Sequence, residues 1–71
     1  MVKNNLKIIM DSRHIGIREM ARSTGLAINT VSGLYHDTSK RVDLETLDKL
    51  CTFLGVAVGE ILEHVEEPPQ E

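Results

Sequence analysis

The stretch Ile17-Arg18-Glu19-Met20-Ala21-Arg22-Ser23-Thr24-Gly25-Leu26-Ala27-Ile28-Asn29-Thr30-Val31-Ser32-Gly33-Leu34-Tyr35 decides how the whole chain is read. Ile17, Met20 and Ala21 share one side of a helix at about 100° per residue. Gly25 stands where a C-terminal glycine belongs, because a helix commonly stops in the left-handed backbone region that glycine enters without steric cost. A few residues on, Val31, Leu34 and Tyr35 share the apolar face of a second helix over residues 28–35. Two short helices joined by Gly25-Leu26-Ala27 fit a helix-turn-helix, in which the first helix lays the second into a groove.

On the N-terminal side, Leu6, Ile9, Met10 and Arg13 recur at i, i+3, i+4 and i+7 behind Asn4 or Asn5 as a cap. This spacing predicts a helix over about residues 5–13, broken by His14-Ile15-Gly16. On the other side, residues 36–42 are polar and turn-rich. Asp43 then caps a helix carrying Leu44, Leu47, Leu50, Cys51 and Leu54, closed by Gly55. Val58, Ile61, Leu62 and Val65 repeat the pattern in a last helix. No strand alternation and no repeat is evident. The expected fold class is all-α, five short helices in one domain over residues 1–65, followed by an acidic tail, 66–71, that contains Pro68 and Pro69.

Composition narrows the function. Seventy-one residues hold one small domain, and with Tyr35 and Phe53 as its aromatics the core must be aliphatic. The longest apolar runs are three residues, as at 56–58, against the roughly 20 of a bilayer span. The first residues do not lead into the apolar core of a secretory signal, and Cys51 is the single cysteine, so a cytoplasmic, nucleoid-associated protein is expected. The net charge of -3 hides an asymmetry: residues 1–59 carry eight cations against six acids, whereas residues 60–71 carry five glutamates and no cation. The body is mildly basic and the end is acidic, which suits a basic protein partner for the tail.

Catalytic and metal chemistry find little support. Glu60 and His64 lie at i, i+4 beside Glu63, short of the three or four convergent ligands that a metal site needs. Ser32 adjoins Gly33 without the strand-turn-helix setting of a nucleophile elbow. Cys51 lies on a leucine face, where a thiol is a small core residue. His14 and His36 fall in turns. Neither an enzyme nor a cofactor is expected.

Met20-Ala21, then Gly25, then Val31 and Leu34, followed by Leu44-Glu45-Thr46-Leu47 and Leu54-Gly55-Val56, resemble the lambda-repressor-like (Cro/cI-type, XRE) DNA-binding family over about residues 5–65. Ala21 stands where that family keeps a small residue for close helix approach, and Gly25 at its sharp turn. The family usually caps its second, third and fifth helices with Ser or Thr, whereas this chain has Gly16, Ala27 and Ala57. An alanine there forgoes a cap typically worth about 0.5 to 2 kcal/mol. The resemblance implies a transcriptional regulator, a repressor by default, acting on double-stranded DNA at a palindromic operator. An antitoxin-like or bridging interaction module on the same fold is the alternative.

With Val31, Leu34 and Tyr35 turned inward, the opposite face of the second helix is Asn29, Ser32, Gly33 and His36, with Ile28 on its N-terminal flank. These five are the expected base-reading positions. An Asn amide matches the N6 and N7 edge of adenine, and Ile28 suits a thymine methyl. Gly33 stands where the family often reads a base with a long side chain. Lys40 and Arg41 occupy a loop that the family uses to grip phosphate, and Arg18 and Thr30 complete the expected phosphate contacts. A homodimer through the last helix is expected, with Ile61, Leu62 and Val65 supplying the apolar surface.

Overall fold

The computed structural model describes residues 1–66. Its helices are α1 (Leu6–Ser12), α2 (Ile17–Thr24), α3 (Ile28–Tyr35), α4 (Leu44–Leu54) and α5 (Val58–Ile61), flanked by two short strands, β1 (Val2–Asn4) and β2 (Leu62–His64). All five expected helices are present, the last of them shorter than expected, and the all-α class holds. The acidic tail extends beyond the described residues after Glu66.

Local chemistry fixes the ends. Gly25 takes φ 77° and its N–H donates to the Ala21 carbonyl, stopping α2. Thr24 orders the turn that follows: its hydroxyl donates to the Met20 carbonyl at 2.6 Å and accepts the Leu26 N–H at 3.3 Å. Asp43 caps α4 by accepting the Thr46 N–H at 2.9 Å, and Gly55 closes that helix at φ 69°. The start of α1 is held by Asn4 rather than Asn5. Its Oδ1 accepts the Leu6 N–H at 2.9 Å, while its Nδ2 donates to the Leu34 carbonyl at 2.8 Å, tying α1 to the end of α3.

Leu6, Met10, Met20, Ala21, Val31, Leu34, Leu50, Leu54 and Ile61 form the buried core. Ala21 is small and buried on α2, which packs against α3. Tyr35 does not sit as deep as its position on the Val31 and Leu34 face suggests. Its ring is half-buried and its hydroxyl donates to Asp11 Oδ1 at 2.7 Å, because a phenol needs a polar partner that the aliphatic core does not supply.

The last element departs from expectation. The helix read as far as Val65 stops at Ile61, and Leu62, Glu63 and His64 pair antiparallel with Asn4, Lys3 and Val2. Two flanking bonds, Asn5 N–H to the Ile61 carbonyl at 2.7 Å and Val65 N–H to the Met1 carbonyl at 2.8 Å, extend the clasp. A helix this short is marginal on its own, so a nearby strand decides its end. Two readings change as a result. Ile61, only 2% exposed, belongs to the core and offers no surface for assembly. Glu60 and His64 lie on different elements, so their i, i+4 spacing does not place them on a common helix face.

Candidate nucleic-acid interface

Helix α3 runs over eight residues with one flank against the core and the other open. At 100° per residue the direction opposite Val31 and Leu34 is occupied by Asn29 and His36, both exposed. Ile28, at the N-terminal edge, is 52% exposed. Ser32 and Gly33 flank this face on either side and are half-buried. His36 ends the helix and its ring meets that of Tyr35 edge to face, with centroids 5.0 Å apart.

Thr30 and Gly33 turn toward the loop between α3 and α4. Thr30 lines an open cavity of about 290 Å³ with Ser39, Arg41, Asp43 and Thr46. Arg41 also borders a second one of about 430 Å³, shared with Lys40, Asp37 and the strand residues Val2 and Leu62. The structure therefore brings Thr30, Lys40 and Arg41 together beside α3. Arg18 lies apart from them, in a cleft with Ile15, Gly16 and Tyr35 at the start of α2. Tyr35 is about 200° around α3 from Gly33, so the two sets of cations bracket the exposed face of α3.

Among the described residues the ion pairs are Lys7 with Asp11 at 3.1 Å and Lys49 with Glu45 at 3.4 Å, each along one helix. Arg18, Lys40 and Arg41 are in neither pair. Asp43, the acid nearest Arg41 in sequence, is engaged by Thr46. Hydrogen bonds from Thr46, through its side chain first and its backbone second, hold the Asp43 carboxyl below its ordinary range. The N-termini of α2 and α3 have Gly16 and Ala27 as caps and no side-chain cap bond, leaving their first N–H groups to solvent or to an anion.

A second charged network anchors the far end of α3. Tyr35 and, after it, Lys7 hydrogen-bond Asp11 and hold its carboxyl below the usual range, while Asp11 in turn raises the Lys7 ammonium and the Tyr35 phenol. Sequence reasoning missed this tie and the Asn4 to Leu34 bond. For Tyr35 the signal was present only as a hydroxyl on an apolar face, and the partners lie 24 and 30 residues away, beyond any local pattern.

Such a surface is built for recognition: amide, imidazole and hydroxyl groups face outward, flanked by cations, and no group of three or more potential metal ligands converges among the described residues. The fold and this surface are those of a helix-turn-helix DNA-binding domain. The profile of the Cro/C1-type HTH DNA-binding domain matches residues 5–67, and the protein belongs to that family, whose members bind rather than catalyse. It is similar in fold to a crystal structure of a candidate DNA-binding protein from Bacteroides fragilis, with a TM-score of 0.76 and 24% identity over 89% of this chain and 100% of that one. No curated protein matches the chain.

Proposed function

We propose that this domain is a sequence-specific regulator of transcription, a repressor, that lays α3 in the major groove of double-stranded DNA. One observation carries the reading: an exposed polar face, centred on Asn29 and His36 and free of Asp, Glu, Lys and Arg, lies between Arg18 on one flank and Lys40 and Arg41 on the other. Neutral amides and hydroxyls discriminate base edges, whereas cations hold the phosphates on either side. Ile28, Asn29, Ser32 and His36 would read bases, with Asn29 favouring adenine and Ile28 a thymine methyl. Arg18, Thr30, Lys40 and Arg41 would hold the backbone.

A single recognition helix spans few base pairs, so we take the functional unit to be a homodimer on a palindromic site, its half-sites about 34 Å apart. The C-terminal end remains the proposed contact, now through Val58 and Val65, which are 47% and 37% exposed. Val65→Glu should leave folding intact and weaken operator binding. Selection from a random duplex pool tests the whole reading. The expected result is a palindrome with A·T pairs in each half-site and an affinity that falls steeply with salt.

The five glutamates of residues 60–71 favour a second reading, an antitoxin-like or bridging module that docks a basic protein. It predicts no enriched site and no salt-dependent binding to duplex DNA.

A further inference from the structure

We infer that Gly33 is a positioning residue: its carbonyl and its missing side chain seat the α3–α4 loop on the recognition helix, and so deliver Lys40 and Arg41 to the DNA backbone. The inference rests on the DNA-binding reading above and assigns Gly33 to the loop rather than to a base edge.

Three features converge on this residue. Helix α3 ends in a paired-bond turn: Asp37 takes the left-handed conformation at φ 57°, its N–H donates to the Leu34 carbonyl at 3.3 Å, and the Thr38 N–H reaches back to the Gly33 carbonyl at 2.9 Å. The Ser39 N–H donates to the same carbonyl at 3.2 Å and the Thr38 hydroxyl at 3.4 Å, so three donors from the loop converge on one helix oxygen. Finally, a Cβ built on Gly33 would overlap the Ser39 hydroxyl, with Ser39 Cβ at 3.6 Å and Thr38 Oγ1 at 3.8 Å behind it. The Cβ direction at position 33 thus points into the loop. A long side chain there would meet Ser39 and Thr38 before it met a base.

Lys40 and Arg41 follow Ser39 directly, so the seat sets where both cations begin. Because the left-handed residue is Asp37 and not glycine, the turn forms at some steric cost and depends on these bonds to persist. An exposed helix would gain from almost any residue in place of glycine. Its presence in α3 is accounted for by the loop lying on it.

Gly33→Gln separates the two roles. If Gly33 seats the loop, the variant stays folded with a melting temperature near the parent's, because the better helix propensity of glutamine offsets the loop bonds that are given up. Hydrogen exchange at the Thr38 and Ser39 amides accelerates severalfold in the free protein. Affinity for selected and random duplexes falls alike, by about one to two orders of magnitude at 0.1 M salt, and the slope of log affinity against log salt drops by one to two units as Lys40 and Arg41 leave their phosphates. Gly33→Ala gives a smaller version of each change, since the Ser39 hydroxyl can swing aside, and adding Ser39→Ala reverses it.

Unchanged exchange at Thr38 and Ser39 would overturn the inference. So would an unchanged salt slope with an altered preference at one base position, which would make residue 33 a reader. Should the parent protein show no salt-dependent binding to duplex, the functional reading fails, and the exchange measurement on the free protein still decides whether Gly33 seats the loop.

Discussion

Helices α3 and α4 are neighbours in the chain with opposite constructions. α4 is self-sufficient: Asp43 caps its start, Gly55 closes its end, Glu45 and Lys49 pair along its surface, and Thr46, Leu47, Leu50 and Leu54 are buried. α3 has none of the first three. Its cap is Ala27, it carries Ile28, Thr30 and Val31 at positions where β-branching lowers helix propensity, and a glycine interrupts it. What holds α3 comes from elsewhere: Asn4 on its last turn, Asp11 on Tyr35, and the loop on Gly33. The outward positions of α3 therefore contribute little to its own stability. A helix whose exposed side chains are freed from that task can be spent on contact with a ligand.

The difference can be broken most forcefully from the α4 side. Leu50 is fully buried at the centre of the core, and Leu50→Ala should cost about 2 to 5 kcal/mol, seen as a lower urea midpoint and as loss of DNA binding at temperatures where the parent is folded. Asn29→Ala should do the reverse. Alanine is the better helix former, so stability should hold or rise by a few tenths of a kcal/mol. Affinity for the selected site should fall by about 1 to 3 kcal/mol, and affinity for random duplex hardly at all. Parallel denaturation and binding titrations check both. If Asn29→Ala destabilises the fold as well, α3 is not the contact helix described here.

Lys40→Ala and Arg41→Ala act on the loop that joins the two helices. Each should weaken cognate and random DNA together and reduce the salt slope by about one unit, with the melting temperature unchanged. A cation whose loss instead changes base preference would contact a base edge rather than the backbone.

The two constructions also differ in how much the sequence discloses. The bounds of α4 are legible residue by residue, because Asp43 and Gly55 are caps with a mechanism and the leucines between them keep a 3.6 period. The turn at Gly25 is legible for the same reason. Beyond Val58 the signal fails: Ile61, Leu62 and Val65 satisfy a helical period, yet Leu62 is drawn into pairing with Asn4, a partner 58 positions earlier that no local window contains. At the interface the outward face of α3 follows from periodicity, whereas the loop lying on Gly33 and the phenol bonded to Asp11 depend on contacts formed only after folding. The Tyr35 hydroxyl on an apolar face and the cap candidate Asn4 were the available hints.

Ala27→Ser tests whether α3 is held by its surroundings rather than by its own ends. A serine would supply the cap that the helix lacks, accept an N–H of its first turn, and raise stability by about 0.5 to 2 kcal/mol in chemical denaturation. Its hydroxyl would also stand at the end of α3 that an anion can approach, so DNA affinity should be kept or improved. No gain in stability would mean that the first turn of α3 is already satisfied by the packing around it, and the contrast with α4 would narrow.

The smallest expected effect lies in acid. Asp43 and Asp11 both have folded-state carboxyls held below the ordinary value, the first by Thr46 and the second by Tyr35 and Lys7. In that interval the unfolded chain binds more protons than the folded one, so their contributions are complete above the ordinary carboxylate value of about 4 and are lost as pH falls through the lower folded value. Melting temperature should be level from pH 7 to about 5 and decline below about 4. Asp43→Asn keeps a good cap, because an amide oxygen also accepts the Thr46 N–H, and should lessen that decline with little change at pH 7. Asp11→Asn should lessen it too, but by a different route: it gives up the Lys7 pair while an amide oxygen can still accept the Tyr35 hydroxyl. Hydrogen exchange distinguishes the two sites. Amides near the end of α3 should open faster in Asp11→Ala, which removes the acceptor of the Tyr35 hydroxyl, and be unaffected in Asp43→Asn, since α4 keeps its own cap whereas α3 borrows its anchor from α1. Equal protection of α3 in Asp11→Ala and Asp43→Asn would show that Asn4 and the loop suffice to hold it.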